Sequence, residues 1–137
     1  MVNLSVKGKY GVAAVFELAL HQKGEPLQIR QLSQSCGIPQ NYLEQILVVL
    51  KKEGLVKSFR GAQGGYQLAK PASQISIKDV LFSLEGPSQL VKSYCGCPVL
   101  SKFWMEVDET LSQSFEKTFE TLLNEKQRHE KEMHYAI

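Results

Sequence analysis

Residues 27–70 constrain the fold of this chain more than any other segment, because they contain two helical patterns separated only by a tight turn. Ile29 and Leu32 give the first pattern its apolar i, i+3 spacing. Gly37 ends that helix, since glycine readily adopts the left-handed backbone found after helix ends. Pro39 begins the next helix, where its missing N–H would be unpaired in any case. The segment therefore predicts a helix, a turn and a second helix.

The second predicted helix has two faces of opposite chemical character. Its apolar side chains recur at the i, i+3, i+4, i+7 spacing of one buried face: Leu43, Ile46, Leu47 and Leu50. Its other face carries short polar groups with directional hydrogen-bond donors and acceptors: Gln40, Asn41, Glu44 and Gln45. One face can therefore pack while the other contacts a polar partner.

A glycine-rich connection separates two strand-like runs after this helix. The runs are residues 55–59 and 66–69, and the connection is residues 60–65. Alternating apolar runs around such a connection indicate a β-hairpin. A helix-turn-helix followed by a hairpin is a winged helix, so the predicted fold is mostly α with a small β-hairpin wing. In such proteins the second helix enters the major groove of DNA, and the wing is expected along the backbone or the minor groove.

The charge of the chain is unevenly distributed, although the total is only +2. Residues 1–100 contain eleven Lys or Arg and six Asp or Glu, whereas residues 101–137 contain five and eight. Over residues 51–70, from the end of the second predicted helix through the hairpin, there are five cations and one acidic residue, Glu53; the cations are Lys51, Lys52, Lys57, Arg60 and Lys70. Cations of this kind suit DNA phosphates, which position a protein without reading sequence. The first hundred residues therefore predict nucleic-acid binding, and the acidic end predicts a different partner.

The C-terminal part of the chain predicts a contact with a second copy. From residue 101 to residue 132 the sequence indicates one long amphipathic helix. Apolar residues recur in it at steps of three and four: Trp104, Val107, Leu111, Phe115, Phe119 and Leu122. A small domain offers too little surface to cover such a helix, so we expect a homodimer. A two-fold dimer would present two recognition helices to a palindromic DNA site.

Four segments of the chain resemble one known family. They are LSVKGKYGVAAVFELA, NYLEQIL, GLVKSFRGAQGGYQLAKP and ISIKDVLFSLEG. They resemble the Rrf (Rrf-two) family of bacterial winged-helix transcription regulators over about residues 4–86, and more loosely in the C-terminal helix. The YLEQ and RGxxGGY motifs are the specific part. The resemblance implies dimerisation through the long helix, in a family that includes sensors of iron–sulfur clusters, nitric oxide, iron and cysteine metabolism.

The candidate DNA contacts come from three parts of the winged helix. The resemblance places the start of the first helix, with Lys7 and Tyr10, near the DNA backbone. Glu44 can accept from a cytosine amino group, and Gln or Asn side chains can pair with adenine. Arg60 and Gln63 on the wing are expected in the minor groove or on phosphates. The full set is Lys7, Tyr10, Gln40, Asn41, Tyr42, Glu44, Gln45, Lys57, Arg60, Gln63 and Gly64.

Some of these residues have a plain structural alternative. Tyr10 is equally well explained as a packed core aromatic. Gly64, like Gly61 and Gly65, is explained as a turn former. Tyr42 lies within the motif and is expected to touch the DNA backbone rather than the bases.

Cys95 and Cys97 indicate a sensor whose chemistry the sequence leaves open. Three cysteines, two of them separated by a single glycine, do not form a disulfide framework, so we expect the chain in the reducing cytoplasm. Cluster-binding members of the family carry three cysteines on this loop, and here the third is missing. Cys36 lies in the turn of the helix-turn-helix and is interpreted as a small buried residue.

Four alternatives follow for the cysteine pair. The pair binds nothing, and the signal is a protein or small-molecule effector. The pair forms a disulfide whose small, strained ring is easily reduced. Two chains supply four thiolates to one shared [2Fe–2S] cluster. Finally, an Asp, Glu or His side chain completes a cluster site within one chain.

The sequence as a whole predicts a homodimeric DNA-binding regulator, acting as a repressor, that senses iron–sulfur or redox state through Cys95 and Cys97. It divides the chain into a winged helix-turn-helix (residues 1–86), a sensor loop (87–100) and a long dimerisation helix with a tail (101–137). The alternatives are a cluster-free regulator with an effector and a winged helix that binds protein. An enzyme is disfavoured because there is neither a Cys-x-x-Cys at a helix start nor a βαβ pattern. A membrane protein is disfavoured because no apolar run approaches the ~18 residues of a span.

Overall fold

The computed structural model describes residues 5–86 and 96–135. Within these ranges the chain forms six α-helices, a two-stranded antiparallel sheet and one short 3₁₀ turn. The helices are α1 (Val6–Leu20), α2 (Ile29–Cys36), α3 (Gln40–Lys52), α4 (Ile77–Glu85), α5 (Pro98–Ser114) and α6 (Phe119–Tyr135); the strands are β1 (Val56–Phe59) and β2 (Gly65–Leu68), and the 3₁₀ turn is Ala72–Gln74. The predicted mostly-α fold with a β-hairpin wing is confirmed. None of the helices in these ranges is long and apolar enough to cross a membrane.

Local sequence signals fix the end of α2 and the start of α4. Gly37 follows α2 with a φ of 67°, and its N–H donates to the Ser33 carbonyl oxygen at 2.9 Å. This is the left-handed conformation that glycine adopts at low steric cost. Ser76 and Asp79 cap α4 reciprocally: the Asp79 N–H donates to Ser76 Oγ at 3.1 Å, and the Ser76 N–H donates to Asp79 Oδ2 at 2.9 Å. The end of α2 therefore lies where the sequence predicts it.

The wing is a hairpin extended by one more backbone segment. β1 and β2 are antiparallel neighbours, with Phe59 opposite Gly65. Tyr66 in β2 also exchanges two backbone hydrogen bonds with Leu27, at 3.0 and 2.8 Å. At Gly65 the φ angle is 144°, and a Cβ atom would lie only 2.3 Å from the Leu27 carbonyl oxygen, so this position requires glycine. The wing is therefore joined to the segment that leads into α2.

The hydrophobic core lies between α1 and the elements packed around it. Its fully buried members include Leu18, Leu32, Leu43, Ile46, Leu47, Leu50, Ile75 and Phe119. α1 and α4 approach each other closely because Gly8 and Gly11 lack side chains. A Cβ atom at Gly11 would lie 2.1 Å from Leu84 Cδ1. Helices α1–α4, the wing and α6 share this core, and we call them together the head.

The prediction of a single helix from residue 101 to residue 132 is wrong. α5 ends at Ser114, and α6 begins at Phe119. Between them the backbone is hydrogen-bonded to the start of α4 and to the segment that leads into it. The Lys78 N–H donates to the Phe115 carbonyl oxygen at 2.7 Å, and the Phe119 N–H donates to the Ile75 carbonyl oxygen at 3.0 Å. We call residues 115–119, with these contacts, the joint.

Burial of Phe119 is the physical reason for the break. Its side chain is fully buried in the core of the head. The joint also supplies acceptors for the first N–H groups of α4, which have no partner inside their own helix. A continuous helix would give up both interactions. As a result, α6 packs on α1 and the 3₁₀ turn, whereas α5 contains no buried residue.

Phe119→Ala is expected to lower the free energy of unfolding by about 3–5 kcal/mol, because it removes a fully buried aromatic side chain and leaves a cavity. Urea denaturation followed by circular dichroism measures this change. Met133→Ala, at an exposed position of α6, is the control and should change stability by less than about 0.5 kcal/mol. Wild-type stability in Phe119→Ala would contradict the role assigned to the joint.

Candidate nucleic-acid interface

The solvent-facing side of α3 carries the side chains predicted to contact DNA bases. The exposed residues are Gln40, Asn41, Glu44 and Gln45, and the opposite face buries Leu43, Ile46, Leu47 and Leu50. This division confirms the predicted amphipathic character of the helix. Amide and carboxylate groups in one exposed row can donate to and accept from base edges. Val48 is also exposed in this row; the sequence reasoning missed it, although helical spacing places it there.

Tyr10 and Tyr42, predicted separately as DNA contacts, form one aromatic pair. Their ring centroids are 5.5 Å apart with the ring planes at 84°, which is a favourable edge-to-face arrangement. Both side chains are half-buried and pack against the core. The pair ties the start of α1 to the first turn of α3. Packing therefore accounts for both tyrosines, and their contact with DNA stays a prediction.

The N-terminal end of α1 already holds a carboxylate. Ser5 caps the helix by accepting from the Gly8 N–H at 3.1 Å, and Glu85 accepts hydrogen bonds from the N–H and the hydroxyl of Ser5. A carboxylate at a helix N-terminus is stabilised by the helix dipole. A DNA phosphate at this helix end would meet Glu85. The half-buried Lys7 and the exposed Lys9 are the cations beside this helix end, and contact of Lys7 with DNA stays a prediction.

The wing presents its predicted polar side chains to solvent. Lys57, Arg60 and Gln63 are exposed. The Lys57 ammonium lies 5.5 Å from the centroid of the Phe59 ring, a contact that holds the cation without neutralising it. Gly64 is buried, and a Cβ atom there would lie 2.3 Å from the Phe59 carbonyl oxygen. The backbone of the wing itself therefore requires glycine at this position. Contact of Gly64 with DNA stays a prediction.

Gln28 links the wing to α2, a role that the sequence reasoning missed. Its side-chain amide donates to the Ala62 carbonyl oxygen at 3.2 Å, and its N–H donates to Gln31 Oε1 at 3.0 Å. Together with the pairing of Leu27 and Tyr66, these bonds fix the tip of the wing relative to the helix-turn-helix. No periodicity marks Gln28 in the sequence, because its wing partner is 34 residues away.

Of the two predicted metal ligands, Cys97 is described and Cys95 lies outside the described residues. Cys97 is exposed and is the N-cap residue of α5, directly before Pro98. Within residues 5–86 and 96–135, no group of three or more His, Cys, Asp or Glu side chains could hold a metal ion. The described part of one chain therefore does not form a complete cluster site.

Cys36 is a packed thiol. Its side chain is half-buried against the core, with Sγ 3.7 Å from the Ala13 carbonyl oxygen. Burial, and secondarily the negative charge of Glu17, raises the pKa of the Cys36 thiol to about 11. The thiol is therefore protonated at neutral pH, whereas metal ligation and nucleophilic attack require the thiolate. This agrees with the predicted role of Cys36 as a small packing residue.

Comparison with known proteins decides the family. The sequence profile of Rrf2, which is described as an iron-dependent transcriptional regulator, matches residues 4–126. The chain belongs to the Rrf2 family. The resemblance predicted from the four sequence segments is thus confirmed, and the match extends through α5 into α6.

Individual relatives and solved structures agree with this assignment. The transcriptional regulator IscR of Photorhabdus laumondii is 42% identical over 84 residues, which are 61% of this chain and 51% of that protein. CymR of Bacillus subtilis is 31% identical over 118 residues, which are 85% of this chain and 86% of that protein. The structure of B. subtilis CymR, called the global cysteine regulator, matches with a TM-score of 0.84 at 32% identity and covers 89% of this chain and 96% of that one. The structure of T. potens IscR matches with a TM-score of 0.78 at 35% identity and covers 90% of this chain and 87% of that one.

These similarities bear on two of the predictions. The relatives are transcriptional regulators rather than enzymes, which confirms the prediction that the chain is not an enzyme. The structural matches confirm the winged-helix fold. The matched region spans about half the length of P. laumondii IscR and of a Haemophilus influenzae relative.

Proposed function

We propose that this chain is a homodimeric DNA-binding regulator that represses transcription at a palindromic operator. The observation that carries the proposal is the exposed polar row of α3, which lies opposite the packed face of that helix and next to the cationic wing. Membership of the Rrf2 family supports it. The row would enter the major groove, where Glu44 and Gln45 contact base edges, while Lys57 and Arg60 contact phosphates.

α5 supplies the dimer contact in this proposal. Val99, Phe103, Val107 and Leu111 recur every four residues and form one apolar stripe along the helix. None of the α5 residues is buried within the chain, and 49% of Phe103 is exposed. A second copy of α5 would cover the stripe. A two-fold axis at this contact would turn both α3 helices toward the two halves of a palindromic site.

The proposed signal input is the cysteine pair Cys95 and Cys97, directly before α5. Cys97 is exposed, as a ligand or a reactive thiol requires. Two thiolates per chain are half of the four that a [2Fe–2S] cluster takes, so a cluster would need a second chain or a non-cysteine ligand. The description of Rrf2 as iron-dependent supports a cluster. The third cysteine that cluster-binding members of the family carry on this loop is missing from the sequence, which supports a second candidate, a regulator controlled by a protein or small-molecule effector.

Glu44→Ala and Lys57→Ala are expected to change DNA binding in different ways. Without the Glu44 carboxylate a base contact is lost, so the preference for the operator over a scrambled duplex should fall about tenfold. Without Lys57 a phosphate contact is lost, so affinity should fall alike for both duplexes, and the slope of log K against log salt should decrease by about one. Fluorescence anisotropy at several salt concentrations measures both effects.

Two outcomes of this titration would contradict the proposal. If Glu44→Ala lost affinity equally for both duplexes, the base-reading role of Glu44 would be wrong. If wild-type protein showed no salt-dependent binding to any duplex, the winged helix would be a protein-interaction module instead.

Phe103→Glu is expected to convert the dimer into a monomer, because a carboxylate in an apolar interface loses its hydration without gaining a partner. Met105→Glu is the matched control. Met105 lies on the same helix and is 72% exposed, but its position is off the stripe. Size-exclusion chromatography with light scattering measures the mass of each variant. A dimeric Phe103→Glu, or a monomeric Met105→Glu, would contradict the assignment of the stripe.

Iron and sulfide content after anaerobic purification should distinguish the two signal candidates. About one iron per chain, with visible thiolate-to-iron absorption, is expected for a [2Fe–2S] cluster shared by two chains. Cys97→Ser should lose this iron, whereas Cys36→Ser, which removes a packed and protonated thiol, should retain it. Two irons per chain would indicate a site completed within one chain. A colourless, iron-free protein after attempted reconstitution would contradict the cluster and favour an effector.

A further inference from the structure

We propose that Val48 contacts the C5 methyl group of a thymine in the major groove and thereby selects an A·T pair at one position of each half-site. This inference rests on the proposed function, because it requires α3 to enter the groove. It adds an apolar specificity-determining residue to a row of α3 that otherwise offers hydrogen-bonding groups.

Val48 lies in the middle of the exposed row of α3. Successive side chains of an α-helix are about 100° apart, so Val48 projects within about 20° of Asn41 and lies between Glu44 and Gln45. The buried side chain of Leu50 projects about 180° away from Asn41 on the same wheel. Val48 is 66% exposed, more than any other large apolar side chain in residues 5–86.

Packing in the head gives no reason for valine at this position. β-branched side chains lose rotamer freedom in a helix and are poorer helix formers than unbranched ones. The neighbouring Val49 is half-buried and packs against the core, which explains its apolar character. Val48 belongs neither to the core nor to the described residues packed against it.

The major groove contains an apolar group that suits this side chain. Base pairs present donors and acceptors there, and thymine alone adds a C5 methyl group, which small apolar side chains contact. Asn41 and Val48 are seven residues apart, about 10 Å along the helix axis, so they would reach bases about three steps apart. Lys51 and Lys52 follow in the last turn, where cations can hold this end of α3 against the phosphates.

Replacement of single thymines by deoxyuridine tests the inference, because it removes only the C5 methyl group. The operator is first selected from a random duplex pool with wild-type protein. Replacement of one particular thymine in each half-site should then lower the affinity about fourfold, which is the equivalent of one buried methyl group. Val48→Ala should bind the unmodified operator about fourfold more weakly, and deoxyuridine at that position should cost it nothing further.

Leu20→Ala is the matched control, since it removes another exposed apolar side chain, at the C-terminal end of α1. It should keep the full deoxyuridine effect, and thermal unfolding of both variants should resemble that of wild type. If no deoxyuridine replacement lowered the affinity of wild-type protein, or if Val48→Ala lost as much affinity as wild type at the same thymine, the role of Val48 would be wrong. Selective binding to the operator would still support the proposed function in either case. Failure to select any site from the pool would overturn the proposed function and this inference together.

Discussion

Backbone hydrogen bonds at the joint decide which part of the C-terminal region belongs to the head. The N–H groups of Ile77 and Lys78 are the first donors of α4 and have no acceptor inside their own helix. They donate to the carbonyl oxygens of Lys117 and Phe115 at 2.9 and 2.7 Å, and Phe119 fills the core beside them. These interactions exist only if the chain stops being helical at the joint. They therefore hold α6 on the head, whereas α5 contains no buried residue.

The surface of α3 is connected to the joint through two helix contacts. α4, which begins at the joint, packs closely on α1 because Gly11 leaves room for Leu84. α1 in turn contacts α3 through the edge-to-face pair of Tyr10 and Tyr42. The polar row is thus carried by a helix whose orientation depends on packing throughout the head. A recognition surface supported in this way keeps its side chains in a defined geometry, which selective contacts require.

The features that were predictable from the sequence are those decided by residues near one another along the chain. Helices α2 and α3 and the wing follow from spacings of two to four residues. The break between α5 and α6 could not be predicted in this way, because Phe115 and Phe119 keep the i, i+4 spacing of a continuous helix. The break depends instead on backbone donors and acceptors near residue 77, which are distant in the sequence. The bond from Ser5 to Glu85 spans 80 residues and leaves no local pattern.

The position of α6 has a consequence for the relation between folding and association. In many homodimers the subunits share a core, so no folded monomer exists and stability depends on protein concentration. In the described part of this chain, every fully buried side chain lies in the head, and α5 contributes none. A single chain therefore completes its own core. If two chains associate through α5 as proposed, association would be an equilibrium separate from folding, and an event at the N-terminus of α5 would shift the balance of monomer and dimer while each head stays folded.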